Sequence, residues 1–395
     1  MSLIFVGSVV DRETLKKMPD ASVAGNKMEL GFIKGFIENG VRTYVLSVES
    51  NGMWKFNRKP VIIKKKHLKD ETAEIETVPY INIPVIKQLL IMHNLKHSLK
   101  KVLKKEEFKD SVLLVYNTMT FFAYPVLSVS KKKKLPSMGI IADLPDMAST
   151  NLIRKLENKK EQNIIKDFSG LIPLTEHIAH DFAPGVPYCV VEAGCRPEDY
   201  DEEARTLNKS EKKQIVFSGT LNEFSGIELI IEAMSYIKNK DISLYIYGDG
   251  PQKPFVINAA EKADNIYYCG RVTNDKMLKI QQNCDLLVCP RRSDNFVTKY
   301  TFPSKVLEYI CAGVPVLSNR LKGIPEEYEE YINYAESESA PDWAEAIQKI
   351  LNGEKAGQYR EKALSAREKV LQNKSWKNQT AKVLRHFKSE GFNIK

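Results

Sequence analysis

The sequence predicts an α/β protein built as two doubly wound halves, each a parallel sheet covered by helices. Short apolar runs of strand length alternate with amphipathic helical stretches along most of the chain. Helices rather than hairpin turns bound those runs, so the strands run parallel and are joined by crossovers. Between Arg196 and Lys213 polar density rises with no apolar period, which divides the alternation in two. The expected organisation is a first domain at 1–195, a linker at 196–213, a second domain at 214–375, and a C-terminal helix at 376–395 able to cross back to the first domain. With 395 residues, 43% hydrophobic and 28% charged, the chain has the length for two domains and excludes collagen-like and wholly disordered classes.

In the first half the expected strands are Leu3–Val6, Thr43–Ser47, Val112–Tyr116, Gly139–Ala142, Gly170–Thr175 and Tyr188–Glu192. Met28–Asn39 reads as a helix because Leu30, Ile33, Phe36 and Ile37 recur at helical spacing and Gly40 stops it. Lys87–Lys109 places Leu89, Leu90, Met92, Leu95, Leu99 and Val102–Leu103 on one face and Lys96, Lys100, Lys101, Lys104 and Lys105 on the rest. That pattern fits a membrane-surface helix and equally a crossover helix with a basic outer face. The second half reads as strand Gln214–Ser218, helix Gly226–Lys238, strand Ser243–Tyr247, a helix near Pro254–Ala263, strand Ile266–Cys269, helix Asn274–Asn283, strand Asp285–Cys289, helix Ser304–Ala312 and strand Pro315–Ser318. Beyond residue 340 the pattern is helical, with Trp343 and Ile347 on one face.

Charge is uneven. Residues 51–135 hold 18 Lys and Arg against 7 Asp and Glu, while 136–395 hold 35 against 37 and 1–50 balance at 6 and 6. The formal charge of +9 therefore resides in about a fifth of the chain, a basic face suited to anionic lipid or phosphate. No nucleic-acid-binding module accompanies it, so no nucleic-acid partner is expected. MSLIFVGSVVDRE lacks the basic start of a signal peptide and reads as a buried strand. Ser111–Ser130 is uncharged, but Asn117, Thr118, Thr120 and Pro125 interrupt it, so a strand, a polar turn and a helix account for it better than a membrane span. The six Cys form no C-x-x-C pair and read as reduced core thiols. The expected location is cytoplasmic, peripheral at the inner face of the plasma membrane. His93/His97 and His177/His180 lack the partners of a zinc site, so no metal site is expected.

The segment richest in chemistry is Asp285–Asn319. A strand ends at Pro290, Arg291 and Arg292 follow in a loop, and Phe302-Pro303-Ser304-Lys305 opens a helix with Glu308 one turn in. Ser304 reads as the N-cap, and the free N–H groups and positive dipole end of its helix, together with Lys305, suit a phosphate. Glu308 is placed to accept hydrogen bonds from a sugar diol.

The order F-P-S-K-x-x-E-Y-x-x-x-G-x-P-V resembles the donor-binding segment of retaining glycosyltransferases of the GT-B fold, family 4. Phe217–Leu221 with Gly226 is similar to that family's first strand and loop of the second domain, and YIYGDGP at Tyr245–Pro251 with IYYCGRV at Ile266–Val272 agrees in order and spacing. The likeness is specific over Gln214–Asn319 and holds in outline over the first half.

The resemblance implies two Rossmann-like domains facing across a cleft and a nucleotide-diphosphosugar donor, UDP-sugar favoured, as co-substrate with no other cofactor. Carried over, Glu308 meets the donor ribose, Ser304 and Lys305 the diphosphate, and Arg271-Val272 the base. Gly219 lets the backbone approach the diphosphate, and Thr220, Tyr247, Gly248, Arg292, Tyr300, Phe302 and Pro303 complete the donor site. In the first domain Ala24-Gly25-Asn26, a loop before a helix, closes over the reacting sugar, and Asp143 stands where an aspartate follows the family's catalytic histidine. Asp143, Lys305 and Arg291 are the expected catalytic residues. The implied acceptor is a saccharide or polyprenyl-linked saccharide, in cell-surface polysaccharide or glycoconjugate synthesis.

Four positions depart from the family pattern. Thr220 and Ser225 replace two phosphate cations, Tyr300 replaces an acid, and Ala142 replaces the histidine. Two readings follow: a subfamily in which Lys305, Arg291 and Arg292 supply the charge, or a catalytically degenerate scaffold for a partner transferase. In the first, the cations and the helix N-terminus stabilise the departing diphosphate without a metal, and its oxygen takes the acceptor's proton on the same face.

Overall fold

The computed structural model describes residues 2–16, 18, 22–49, 61–69, 73–83, 86–145, 152–200 and 212–392. The chain divides into two compact units, Met1–Gly194 with Trp376–Lys395, and Cys195–Ser375. The linker residues 201–211 lie outside the described residues.

Unit 1 runs β1 (Ser2–Gly7), α1 (Arg12–Lys16), α2 (Val23–Glu38), β2 (Arg42–Ser47), β3 (Ile62–Ile63), β4 (His67–Lys69), β5 (Glu74–Thr77), β6 (Tyr80–Ile81), α3 (Ile86–Val102), β7 (Val112–Tyr116), α4 (Thr120–Lys133), β8 (Ser137–Ile141), α5 (Leu152–Ile165), β9 (Gly170–Pro173) and α6 (Glu176–Phe182). Its sheet has the order β4-β5-β2-β1-β7-β8-β9, parallel except for β4. Strands β7 and β8 are buried along their whole length, as expected for a sheet covered on both faces. A small antiparallel ribbon, β3 with β6, stands apart from the sheet.

Two details differ from the sequence reading, and a third bears on two alternatives that it left open. Tyr188–Glu192 is no strand: it is extended backbone with one bridge, Tyr188 to Leu171. Helix α2 starts earlier than Met28, because Ser22 caps it by accepting from Gly25 N at 3.0 Å. Ala24, Gly25 and Asn26 are therefore its first turn rather than a preceding loop. In α3 the stripe Ile91, Leu95, Leu99 and Val102 is buried, as the crossover-helix reading of this segment expects.

Unit 2 runs β10 (Lys213–Thr220), α7 (Ile227–Tyr236), β11 (Ile242–Asp249), α8 (Lys253–Lys262), β12 (Ile266–Gly270), α9 (Asn274–Gln282), β13 (Leu286–Cys289), α10 (Ser304–Ala312), β14 (Val316–Ser318), β15 (Asn333–Tyr334), α11 (Ala340–Asn352) and α12 (Ala356–Asn373). The strand order β12-β11-β10-β13-β14-β15 is parallel throughout. Trp343 and Ile347 of α11 are fully buried with Ile230, Leu244 and Val288 in one core.

The last helix, α13 (Trp376–Ser389), returns to unit 1 and packs on α2. Two helical glycines make room for it: a Cβ on Gly31 would meet the Trp376 indole at 2.1 Å, and one on Gly35 the Trp376 carbonyl at 2.3 Å.

Candidate functional site

Chain order reverses between β10 and β13 in unit 2, and between β1 and β7 in unit 1. Open α/β sheets bind ligands beyond the carboxyl ends of strands at such points. Both units gather their candidate residues there.

In unit 2, Ser218, Gly219 and Thr220 at the end of β10 pair with Tyr247, Gly248 and Asp249 of β11. The close approach demands its glycine at Gly248, where a Cβ would lie 1.9 Å from the Gly219 carbonyl. Gly219 itself leaves a Cβ only ordinary contacts, so that steric requirement falls on its neighbour. Gly226, left-handed at φ +71°, ends the following loop with a Cβ position 1.9 Å from the Pro290 carbonyl. This welds the loop to the exit of β13. Asn319 fixes the same exit, donating to the Pro290 and Arg291 carbonyls at 3.2 and 2.9 Å while accepting from Trp343 Nε1 at 2.8 Å. Arg291 is thus a half-buried cation on a fixed backbone, and burial lowers the pKa of its guanidinium. Its Nε meets no hydrogen-bond partner among the described residues. Arg292 is exposed, 3.6 Å from Asp294.

Pro303, not Ser304, is the N-cap of α10, and Ser304 is its exposed first residue. The hydroxyl therefore does not cap the helix; Val306 N donates to the Pro303 carbonyl at 2.8 Å, and the N–H groups of Ser304 and Lys305 receive no side-chain cap. Lys305 Nζ donates to Glu308 Oε1 at 2.6 Å, and Gln281 Nε2 donates to the same oxygen at 2.7 Å. Gln281 also donates to Ser218 Oγ at 3.1 Å, and the buried Tyr309 hydroxyl accepts from Ser218 N at 3.0 Å. Glu308 is held by groups from α9 and α10, and Ser218 ties them to the end of β10. Tyr300 and Phe302 are buried against Phe296 and Tyr328, so they shape the loop before α10. Arg271 is exposed and Val272 half-buried just past β12, beside half-buried Tyr247.

In unit 1 a cavity of about 230 Å³ opens at the switch point, its walls including Ser8, Gly25, Glu29, Tyr116, Asn117 and Asp143. Glu29 is fully buried, accepting from Ser8 N at 2.9 Å and Ser8 Oγ at 2.8 Å, in space that Gly7 leaves by lacking a Cβ. Burial raises its carboxyl to about 7, against those hydrogen bonds. Burial also raises Asp143, opposed by a hydrogen bond from Asn117. Asn117, left-handed at φ 61°, accepts from the N–H groups of Ala142 and Asp143 at 2.9 and 3.1 Å. Asn26, in the first turn of α2, is committed to the segment after β1, accepting from Val10 N at 2.8 Å and donating to Val10 O at 3.0 Å.

Sequence reasoning missed Gln281, Ser218, Tyr309, Glu29, Tyr116 and Asn117. Only Glu29 left a trace: it stands at helical spacing with Phe32, Ile33 and Phe36, an acid on an apolar face. Chemically, unit 2 offers a cation, an ion pair and a helix N-terminus, the needs of a phosphorylated ligand with a diol. Unit 1 offers carboxyl and amide acceptors suited to a polyhydroxylated compound.

Residues 199–369 match the family described as "Glycosyl transferases group 1". No curated protein sequence matches the chain. Among solved structures the chain is similar to sucrose-phosphate synthase from Thermosynechococcus elongatus, at 14% identity and TM-score 0.68, covering 99% of both chains. It is similar to HepE of Anabaena in complex with UDP-glucose, at 14% identity and TM-score 0.66, covering 98% of this chain and 100% of that one. It is similar to the UDP-forming trehalose-phosphate synthase from Burkholderia xenovorans in complex with glucose-6-phosphate, at 13% identity and TM-score 0.65, covering 97% and 99%. The fold is GT-B.

Proposed function

We propose that this chain, whose second unit matches the glycosyl transferases group 1 family, moves a sugar from a UDP-sugar to an acceptor hydroxyl with retention of anomeric configuration. The observation that carries the reading is the edge at β10, β13 and α10: a fixed Arg291, a Lys305–Glu308 pair and an open helix N-terminus at one switch point. UDP is favoured as nucleotide because HepE was solved with UDP-glucose and the trehalose-phosphate synthase is UDP-forming.

Breaking the anomeric bond leaves a diphosphate with added negative charge and a sugar of oxocarbenium character. Arg291, Lys305 and the α10 N–H groups stabilise the first, so the step needs no metal or other cofactor. Glu308 holds the donor ribose, and Arg271-Val272 lie against the base. As UDP binds, the Lys305 ammonium turns from Glu308 to phosphate and frees a carboxylate oxygen for the diol. The departing phosphate oxygen takes the acceptor's proton on the same face, which makes a histidine at Ala142 dispensable. Asp143 and the unit 1 cavity hold the acceptor, a saccharide or polyprenyl-linked saccharide of cell-surface polysaccharide or glycoconjugate synthesis. Among the described residues no helix is long and apolar enough to cross a membrane. The enzyme works in the cytoplasm, peripheral to the membrane's inner face.

UDP at ~100 times its Kd is expected to stabilise the protein by ~2.7 kcal/mol, read as a rise in melting temperature. Lys305→Ala and Glu308→Ala are each expected to remove most of that rise. No response to any nucleoside diphosphate rejects the proposal. A UDP response with no turnover of any UDP-sugar returns the scaffold reading.

A further inference from the structure

Helix α4 packs between α3 and α5 on one face of the unit 1 sheet, with Lys96 donating to Ser128 at 2.7 Å and Gln88 to Glu157 at 3.3 Å. These three helices carry eleven Lys and Arg against two Glu. Their inward stripes are already satisfied, since Leu95, Leu99, Phe122, Val126, Ile164 and Ile165 are all buried. Yet Ile86, Leu89, Tyr124, Leu152 and Leu156 remain 46%, 61%, 40%, 76% and 63% exposed. All five stand in the first two turns of their helices, the end nearest the carboxyl edge of the strands. Lys87 and Phe121, from the same first turns of α3 and α4, line the unit 1 cavity. The exposed apolar groups therefore border the cavity that the transferase reading assigns to the acceptor.

We propose that the α3–α4–α5 face docks on an anionic lipid bilayer, which presents a lipid-borne acceptor to the cavity. The assignment of the acceptor rests on the transferase reading, and the docking does not. The apolar groups enter the acyl boundary while the lysines meet lipid phosphates, a combination that only a surface with both charge and hydrocarbon rewards. A nucleic acid supplies phosphate but no hydrocarbon for Leu89, Leu152 and Leu156. The docking surface differs from the buried apolar stripe of α3. It is the outward rim of three helices, assembled only in the fold.

The test is sedimentation of the full chain with vesicles of equal parts phosphatidylglycerol and phosphatidylcholine, against phosphatidylcholine alone. Binding is expected to the anionic vesicles and to be weak to the neutral ones. Leu89→Ser with Leu156→Ser is expected to weaken it roughly tenfold or more. Lys155→Glu with Lys159→Glu, exposed on α5 at helical spacing from Leu152 and Leu156, is expected to do the same through charge alone. Unchanged melting temperatures show that these exposed variants fold. Absence of binding, equal binding to neutral vesicles, or wild-type binding by the leucine variant overturns the proposal. So does displacement by an RNA homopolymer to which the leucine variant binds like wild type. The UDP-induced rise in melting temperature is read on the same samples. A UDP response without vesicle binding overturns docking and leaves the transferase reading standing. Vesicle binding without a response to any nucleoside diphosphate supports docking and overturns the transferase reading.

Discussion

Glu29 shows how one buried acid ties stability to pH. Its carboxyl is raised by burial to about 7, from an ordinary 4.5 in the unfolded chain. The folded protein therefore holds a proton that the unfolded chain releases. This contribution is fully present below pH 4.5 and is lost as pH rises through 7, by about 3 kcal/mol in all. Glu29→Gln mimics the protonated form and keeps an acceptor for Ser8 N. Its unfolding free energy, followed by urea titration from pH 4 to 8, is expected to lack the decline of the wild type over that window. An identical profile for both proteins would remove Glu29 from the account. The site in unit 2 has the same character: Lys305, Glu308 and Gln281 are committed to each other at 2.6 and 2.7 Å. A ligand must compete with those bonds, which is why the Lys305→Ala response to UDP is informative.

At the scale of elements, the donor edge depends on backbone packed against backbone. The loop between β10 and α7 is pinned at Gly226, whose φ of +71° and contact with the Pro290 carbonyl both exclude a side chain. Gly226→Ala combines a left-handed backbone penalty with a clash against an immobile carbonyl, an expected loss of about 2–4 kcal/mol. Urea unfolding measures that loss, and UDP affinity should fall with it, because the same contact positions Arg291. A neutral Gly226→Ala would mean that the loop relaxes freely and does not position the site. Helix α10 adds a second lesson. Its N-terminus is open to a ligand because Pro303, which lacks a side-chain acceptor, occupies the capping position.

At the scale of the molecule, unit 1 is closed by the last segment of the chain. Trp376 is 5% exposed and lies over Gly31 and Gly194, and Phe387 is fully buried against Gly170. Trp376→Ala removes the indole from a groove that the glycines cannot fill, at an expected cost of about 3–5 kcal/mol in unit 1. Hydrogen exchange should find that loss in α2 and β1, with the unit 2 strands retaining their protection. Uniform loss of protection across both units would show that they unfold together.

The sequence by itself determined the alternation of strands and helices and the order of the donor segment. Each of these is written in spacings of a few residues, where helix and strand periods act directly. The placement of Arg291 after one strand end and of Lys305 and Glu308 at one helix start was legible because each stands at a fixed offset from that boundary. Only the tertiary structure decided that Gln281 and Ser218 brace Glu308, that Asn26 is spent on Val10, and that Glu29 and Asp143 face one cavity. It also decided that α13 closes unit 1 and that three separate helices pool their outward leucines and lysines. Those outcomes depend on residues tens to hundreds of positions apart, whose proximity is set by packing and burial rather than by any local period.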